Sequence, residues 1–103
     1  MPRVLTILEA HIPQARQADL RSAYRNAADE AFPPGLVRSS LLQATEDRTL
    51  WRIETFWESR DALDAMRGKG TPRGLQIFRA AGAEPTLTVL DVLDELAPPQ
   101  GAA

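Results

Sequence analysis

The sequence has no cysteine, a single histidine and no excess of basic residues. Its 103 residues include 14 acidic and 12 basic side chains, which gives a formal net charge of −2. The lack of cysteine excludes disulfides and thiolate metal sites, and it is typical of proteins of the reducing cytoplasm. Proteins that bind nucleic acid normally present a basic face, so no nucleic-acid partner is expected.

Long hydrophobic runs are also missing. The apolar stretch that begins at Val4 is interrupted by Glu9, which makes it too short for the core of a signal peptide. No stretch approaches the roughly 20 apolar residues that a membrane-spanning helix requires. We therefore expect a cytoplasmic protein without a membrane partner.

The single histidine, His11, limits the chemistry that the chain can perform. A metal site or a catalytic triad built on it would need further ligands or a nucleophile, and no nearby motif supplies them. No carboxylates occur at the spacing of a calcium-binding loop. We predict that the protein has no metal site and that His11 is structural or solvated.

Alternating and helical hydrophobic patterns are present along most of the chain. Period-two alternation predicts four strands, at residues 4–10, 36–44, 50–57 and 86–93. The spacing of apolar residues predicts helices at 14–31, at 60–67 and from Thr71 to Gly82. Ser59 is a suitable N-cap for the second helix, and Thr71 with Pro72 suits the start of the third.

This order is β-α-β-β-α-β with the second helix broken in two, which predicts an α+β, ferredoxin-like fold with a four-stranded antiparallel sheet. A single domain is expected over residues 1–97, followed by a flexible tail over 98–103.

Both faces of the predicted sheet are apolar. In the third strand Trp51 and Trp57 share one face, whereas Phe56 lies on the other with Arg52 and Glu54. An uncovered face with this much apolar area would be adhesive in a monomer. A second copy that packs sheet to sheet would cover it, so the sequence predicts a homodimer.

The chain resembles the antibiotic biosynthesis monooxygenase family of dimeric α+β barrel proteins between residues 4 and 96. The similarity is carried by the order of elements, by Glu54 followed by Phe56-Trp57-Glu58-Ser59, by Ala62-Leu63, and by Thr71-Pro72. The family includes cofactor-free oxygenases of polycyclic aromatic or quinol-like substrates, haem-degrading enzymes and isomerases. The resemblance thus implies a cofactor-independent monooxygenase with a pocket between the sheet and the broken helix.

The chain departs from the family at several positions. Many relatives carry a histidine, and the haem degraders a tryptophan, where this chain has Met66; relatives also have a histidine and an aromatic residue in place of Arg73 and Gly74. The first strand lacks the asparagine of the haem degraders, so haem degradation is not expected. These departures favour an alternative: an isomerase or cyclase of a small metabolite, or a dimer that binds an apolar or aromatic ligand without turnover.

Several residues are candidates for a site, and each also has a structural interpretation. Glu54 is either a base that deprotonates a phenol or quinol, or part of an ion pair at the dimer interface. The segment 68–74 could hold an anionic group, with Arg67, Lys69 and Arg73 as its cations, or form a flap, or it could be a solvated connection. The candidate substrate-binding side chains, each of which could instead pack in the core or lie in solvent, are Tyr24, Trp51, Trp57, Met66, Arg73 and Phe78.

Overall fold

The structure is a computed structural model, and it describes residues 2–99. The order of elements predicted from the sequence is confirmed. The tail predicted over 98–103 lies mostly outside the described residues. Over the described range the elements are β1 (Val4–His11), a 3₁₀ turn (Gln14–Arg16), α1 (Gln17–Ala27), β2 (Leu36–Gln43), β3 (Leu50–Trp57), α2 (Arg60–Arg67), α3 (Arg73–Ala80) and β4 (Thr86–Asp91).

The four strands of this range form one antiparallel sheet in the order β2-β3-β1-β4. With the helices between the strands, this is the predicted α+β, ferredoxin-like fold. β1 and β3 pair at the centre of the sheet, and their register places Thr6 beside Thr55. Ser39 of β2 lies on the other side of Thr55, so three hydroxyl side chains share one line across the sheet.

The sheet has two faces of different character. Every second residue of β3 is buried beneath the helices, as are Val4, Thr6 and Leu8 of β1, and we call this side the helix-covered face. The intervening residues form the outer face, on which the side chains of Ile7 and Phe56 are only half-buried. The alternation predicted for β3 is confirmed, because Trp51 and Trp57 are buried while Arg52 and Glu54 are not.

The buried apolar residues form two clusters on the helix-covered face. The larger contains Phe78, Leu20 and Trp51, and the smaller is built from Val4, Trp57 and Leu63. Along the central strands, the line of hydroxyls at Thr6 and Thr55 lies between the two clusters. The core is therefore interrupted at the point where a cleft opens.

The helix boundaries follow the predicted caps in part. Ser59 is the N-cap of α2, and its hydroxyl accepts a hydrogen bond from the amide of Ala62 at 3.2 Å. The predicted cap at Thr71 is wrong by one residue. Pro72, with φ −57° and ψ 143°, is the N-cap itself, and α3 begins at Arg73.

The other ends of the helices and strands are close to the predictions. Gly82, at φ +78°, follows α3 as expected, since this left-handed conformation strains any residue with a side chain. α1 ends at Ala27, four residues before the predicted end, and β4 ends at Asp91 rather than at residue 93. Within residues 2–99, no helix combines the length and apolarity needed to cross a membrane.

Candidate functional site: a cleft on the helix-covered face

A cleft of about 970 Å³ opens between the sheet and the helices. Its volume lies at the upper end of the range typical of small-molecule sites, roughly 300–1,000 Å³. Its floor is formed by the hydroxyl side chains of Thr6, Thr55 and Ser39, and Tyr24 reaches this floor from α1. The apolar residues that surround this floor include Leu8, Ala27, Phe32, Pro33, Leu36, Ile53, Trp57, Leu63, Met66 and Leu75.

Hydrogen bonds connect the polar groups of the floor. The phenol of Tyr24 donates to Ser39 Oγ at 3.0 Å, and the indole Nε1 of Trp57 donates to Thr6 Oγ1 at 3.2 Å. Longer contacts complete the connection, from Thr55 Oγ1 to Ser39 Oγ at 3.5 Å and from Thr6 Oγ1 to the Thr55 carbonyl at 3.4 Å. We call Tyr24, Ser39, Thr55 and Thr6 the hydroxyl row.

Three members of this row were not predicted as site residues from the sequence: Thr6, Ser39 and Thr55. The available signal was a hydroxyl residue at an inward position of each of three strands, where an apolar side chain would be usual. The register that brings these positions together is set by long-range pairing, so the signal is weak in the sequence alone.

Four of the predicted substrate-binding residues line the cleft: Tyr24, Trp57, Met66 and Arg73. Arg73 is already engaged within the chain. Its guanidinium donates to the carbonyls of Ala27 at 3.3 Å and Ala31 at 2.8 Å, and its Nε lies 3.0 Å from Glu30. Its guanidinium therefore joins the end of α1, at Ala27, to the segment that follows the helix, at Ala31.

The other two predicted substrate-binding residues lie outside this cleft. Phe78 is fully buried in the larger cluster of the core. Trp51 is 6% exposed, and its Nε1 is buried without a hydrogen-bond partner among the described residues. Trp51 also borders a separate depression of about 490 Å³ beside Arg21 and Arg25.

The predicted base, Glu54, lies on the outer face with the sheet between it and the cleft. Arg52 lies between two carboxylates there. Its Nε donates to Glu9 Oε2 at 2.8 Å, and its Nη1 lies 3.4 Å from Glu54 Oε2. The hydrogen bond to Glu9 raises the pKa of Arg52 above its usual value, with a smaller contribution from Glu54. This geometry favours the ion-pair interpretation of Glu54, and its role as a base stays a prediction.

His11 is exposed at the end of β1, where its Nδ1 lies 3.0 Å from the Thr49 hydroxyl and 3.6 Å from Asp47. The hydroxyl and amide of Thr49 both donate to Asp47 and lower the pKa of that carboxyl. Among residues 2–99, no three histidine or carboxylate side chains are grouped so that they could hold a metal ion. The position of His11 agrees with a solvated residue.

Comparisons with known proteins agree with this fold. A family model described as antibiotic biosynthesis monooxygenase matches residues 3–71, more than half of the chain. No curated protein matches the sequence at a significant level.

Solved structures resemble the whole domain. SnoaB, a cofactor-independent oxygenase from Streptomyces nogalater, is 22% identical with a TM-score of 0.70, over 95% of this chain and 100% of its own. A candidate antibiotic biosynthesis monooxygenase from Caulobacter crescentus CB15 is 18% identical with a TM-score of 0.71, over 90% and 92% of the two chains. A conserved protein of unknown function from Bacteroides thetaiotaomicron is 15% identical with a TM-score of 0.67, over 88% and 98%.

At these identities the structural matches support the fold alone, and the family model supports the assignment. The cleft lies between the sheet and the helices. The chain belongs to the antibiotic biosynthesis monooxygenase family.

Proposed function

We propose that the protein is a cofactor-independent monooxygenase that acts on a small aromatic or quinol-type molecule in the cleft. The observation that carries the proposal is the hydroxyl row on the floor of a largely apolar cleft. Family membership and the similarity to SnoaB, which is named as a cofactor-independent oxygenase, support it by analogy.

The cleft is suited to a planar ring system. Its volume of about 970 Å³ accommodates a molecule of two or three fused rings. Trp57 offers an aromatic surface, and the thioether of Met66 makes favourable contacts with aromatic rings. Burial of the ring between these side chains would supply most of the binding free energy, because that energy scales with apolar area.

The hydroxyl row would orient the ring and stabilise charge that develops on it. A phenol or enol oxygen that lies above Ser39 can accept a hydrogen bond from the Ser39 hydroxyl, whose own oxygen accepts a hydrogen bond from the phenol of Tyr24. Such donors, fixed in an apolar site, stabilise the phenolate or enolate form of the substrate, which is the form that donates an electron to oxygen. The proton leaves to water at the open side of the cleft.

The oxygenation can be written for an anthrone, a three-ring ketone with a central methylene group. The methylene carbon loses two hydrogens and gains one oxygen atom, so that a carbonyl forms. The second oxygen atom of O₂ leaves as water with those two hydrogens. O₂ is the only oxidant, and the protein contributes binding, orientation and electrostatic stabilisation.

Oxygen consumption tests the proposal. We expect saturable uptake of O₂ with anthrone or 1,4-naphthohydroquinone, above the rate without protein. Replacement of Ser39 by Ala should lower kcat/KM about tenfold, because one donor to the substrate oxygen is lost. The matched control, Ser22→Ala, removes an exposed hydroxyl from α1 outside the cleft and should change nothing.

A non-oxidative role is the second candidate, and one observation favours it. Among the described residues that line the cleft there is no histidine, and the single carboxylate, Glu30, is paired with Arg73. A site with few acid–base groups suits a ligand-binding dimer or an isomerase that relies on shape. Measurable binding of anthrone-like compounds without any O₂ consumption would favour this candidate over the first.

We also propose that two copies pack through their outer faces as a homodimer. Leu42 and Leu90 of this face are 41% and 46% exposed, which is unusual for leucines on a sheet. Arg52, Glu9 and Glu54 would lie within such an interface, where they can fix its register. Sedimentation velocity should show a dimer at micromolar concentration, and a stable monomer would contradict the proposal.

A further inference from the structure

The charge of the cleft differs in sign from that of the whole chain. The protein has a formal net charge of −2. Four of the residues that line the cleft are cationic, namely Arg38, Arg67, Lys69 and Arg73, and only Glu30 opposes them among the described lining residues. This concentration of positive charge on an acidic protein calls for an explanation.

Two of the four cations are engaged in the fold itself. Arg73 holds the carbonyls at the end of α1 and pairs with Glu30. The guanidinium of Arg38 lies over the ring of Phe56, 4.6 Å from its centroid, and Phe56 belongs to the outer face. Neither has a free side chain to offer a ligand in the cleft.

Arg67 and Lys69 have no such engagement. Within residues 2–99, neither makes an ion pair or a side-chain hydrogen bond, although Arg67 is half-buried. Arg67 ends α2 and Lys69 follows it, so both belong to the connection between α2 and α3 at the wall of the cleft. Two unpaired cations so close in sequence, beside an apolar site, form an attractive field for an anion.

We infer that the natural ligand is an aromatic acid, whose carboxylate binds Arg67 and Lys69 while its rings lie over the hydroxyl row. This inference deepens the proposed function and rests on it. The planar guanidinium of Arg67 can hold a carboxylate through two parallel hydrogen bonds, and the ammonium of Lys69 adds a second charge. The acid group would thus fix the orientation of the rings in the cleft.

The test compares two probes that differ only in charge: anthraquinone-2-carboxylate and its neutral analogue, anthraquinone-2-carboxamide. Binding is measured by calorimetry in low salt. We expect the carboxylate to bind about fivefold more tightly, and this preference to shrink as sodium chloride is added. Equal affinities for the two probes, with both bound, would overturn the inference while leaving the proposed function intact.

A double variant locates the effect. Arg67→Gln with Lys69→Gln should abolish the preference and leave the affinity for the carboxamide unchanged. The matched control, Arg21→Gln with Arg25→Gln, removes the same two charges from exposed positions of α1 outside the cleft, and it should keep the preference. A preference that survives in the first variant, or disappears equally in the control, would contradict the assignment to Arg67 and Lys69.

A third probe pair separates this inference from the proposed function. Octanoate and octanamide carry the same difference in charge without a ring. One outcome would support the anion site alone: neither anthraquinone binds, but octanoate binds more tightly than octanamide. If Arg67→Gln with Lys69→Gln then removes this difference, the anion site is supported and the proposed aromatic substrate is wrong. If none of the four compounds binds, both are overturned.

Discussion

The two faces of the sheet are built from alternating residues of the same strands, but they handle polar groups in different ways. On the helix-covered face the strands contribute neutral hydroxyls, such as Thr6 and Thr55, which lie on the floor of the cleft. On the outer face the polar groups are charges, with Arg52 between Glu9 and Glu54, surrounded by half-buried apolar side chains. One alternating pattern thus produces two surfaces of different chemistry.

The difference follows from the cost of burial. A hydroxyl can be buried with one or two hydrogen bonds, and it can exchange them for bonds to a ligand. The charges of the outer face are only partly buried and are paired with one another, so this cluster resists any ligand that would separate them. The helix-covered face is therefore suited to a small molecule, and the outer face to a protein surface with complementary groups.

The largest effect is expected from the aromatic residue at the centre of the core. Phe78→Ala should lower the free energy of unfolding by about 3–5 kcal/mol, because it leaves a cavity beside a fully buried cluster. Phe56→Ala on the outer face should cost the isolated chain about 1 kcal/mol, since that ring is only half-buried. Urea denaturation at two protein concentrations measures the free energy of unfolding of both variants. Equal losses in Phe78→Ala and Phe56→Ala would contradict the distinction between the two faces.

Neighbouring residues of β3 provide the next test, because Glu54 and Thr55 point to opposite faces. Glu54→Gln should weaken self-association about fivefold and leave the affinity for anthraquinone-2-carboxylate unchanged. Thr55→Val should weaken the binding of anthraquinone-2-carboxylate and leave self-association unchanged, since it removes a hydroxyl from the floor of the cleft at constant volume. Sedimentation and calorimetry measure the two effects; an intact dimer that loses turnover in Glu54→Gln would instead identify Glu54 as the base.

The alternation that separates the faces could be predicted from the sequence, because β3 combines large apolar residues with charges at a period of two. The hydroxyl row could not be predicted from the sequence. Thr6, Ser39 and Thr55 lie on three different strands, and only the pairing register brings them together. Arg73 was recognised as a cation near the pocket, but its contacts with the end of α1 depend on tertiary packing.

A helix end can be predicted from the sequence when a side chain close in sequence caps it. The hydroxyl of Ser59 caps α2 through a bond within its own first turn, which sequence reveals directly. The end of α1 is different, because Ala27, Ala28 and Ala31 continue the apolar face and predict a longer helix. There Arg73 holds the carbonyls of Ala27 and Ala31, a contact made across the fold.

The smallest expected effect concerns the helix beside the cleft. Ser59→Ala should lower the free energy of unfolding by about 1 kcal/mol, because the amide of Ala62 loses its acceptor. Thr71→Ala should change it by less than about 0.5 kcal/mol, since Pro72 rather than Thr71 caps α3. Thermal unfolding measures both, and a larger loss for Thr71→Ala would contradict the assigned cap.

The central claim is that the helix-covered face holds the ligand in the cleft beside Trp57. The chain has two tryptophans, and of these Trp57 lines the cleft whereas Trp51 does not. Fluorine NMR of protein labelled with 5-fluorotryptophan distinguishes them, with Trp51→Phe and Trp57→Phe to assign the signals. Anthraquinone-2-carboxylate should shift the Trp57 resonance in a saturable way and leave that of Trp51 in place. A shift of Trp51 alone, or of neither residue, would contradict the account.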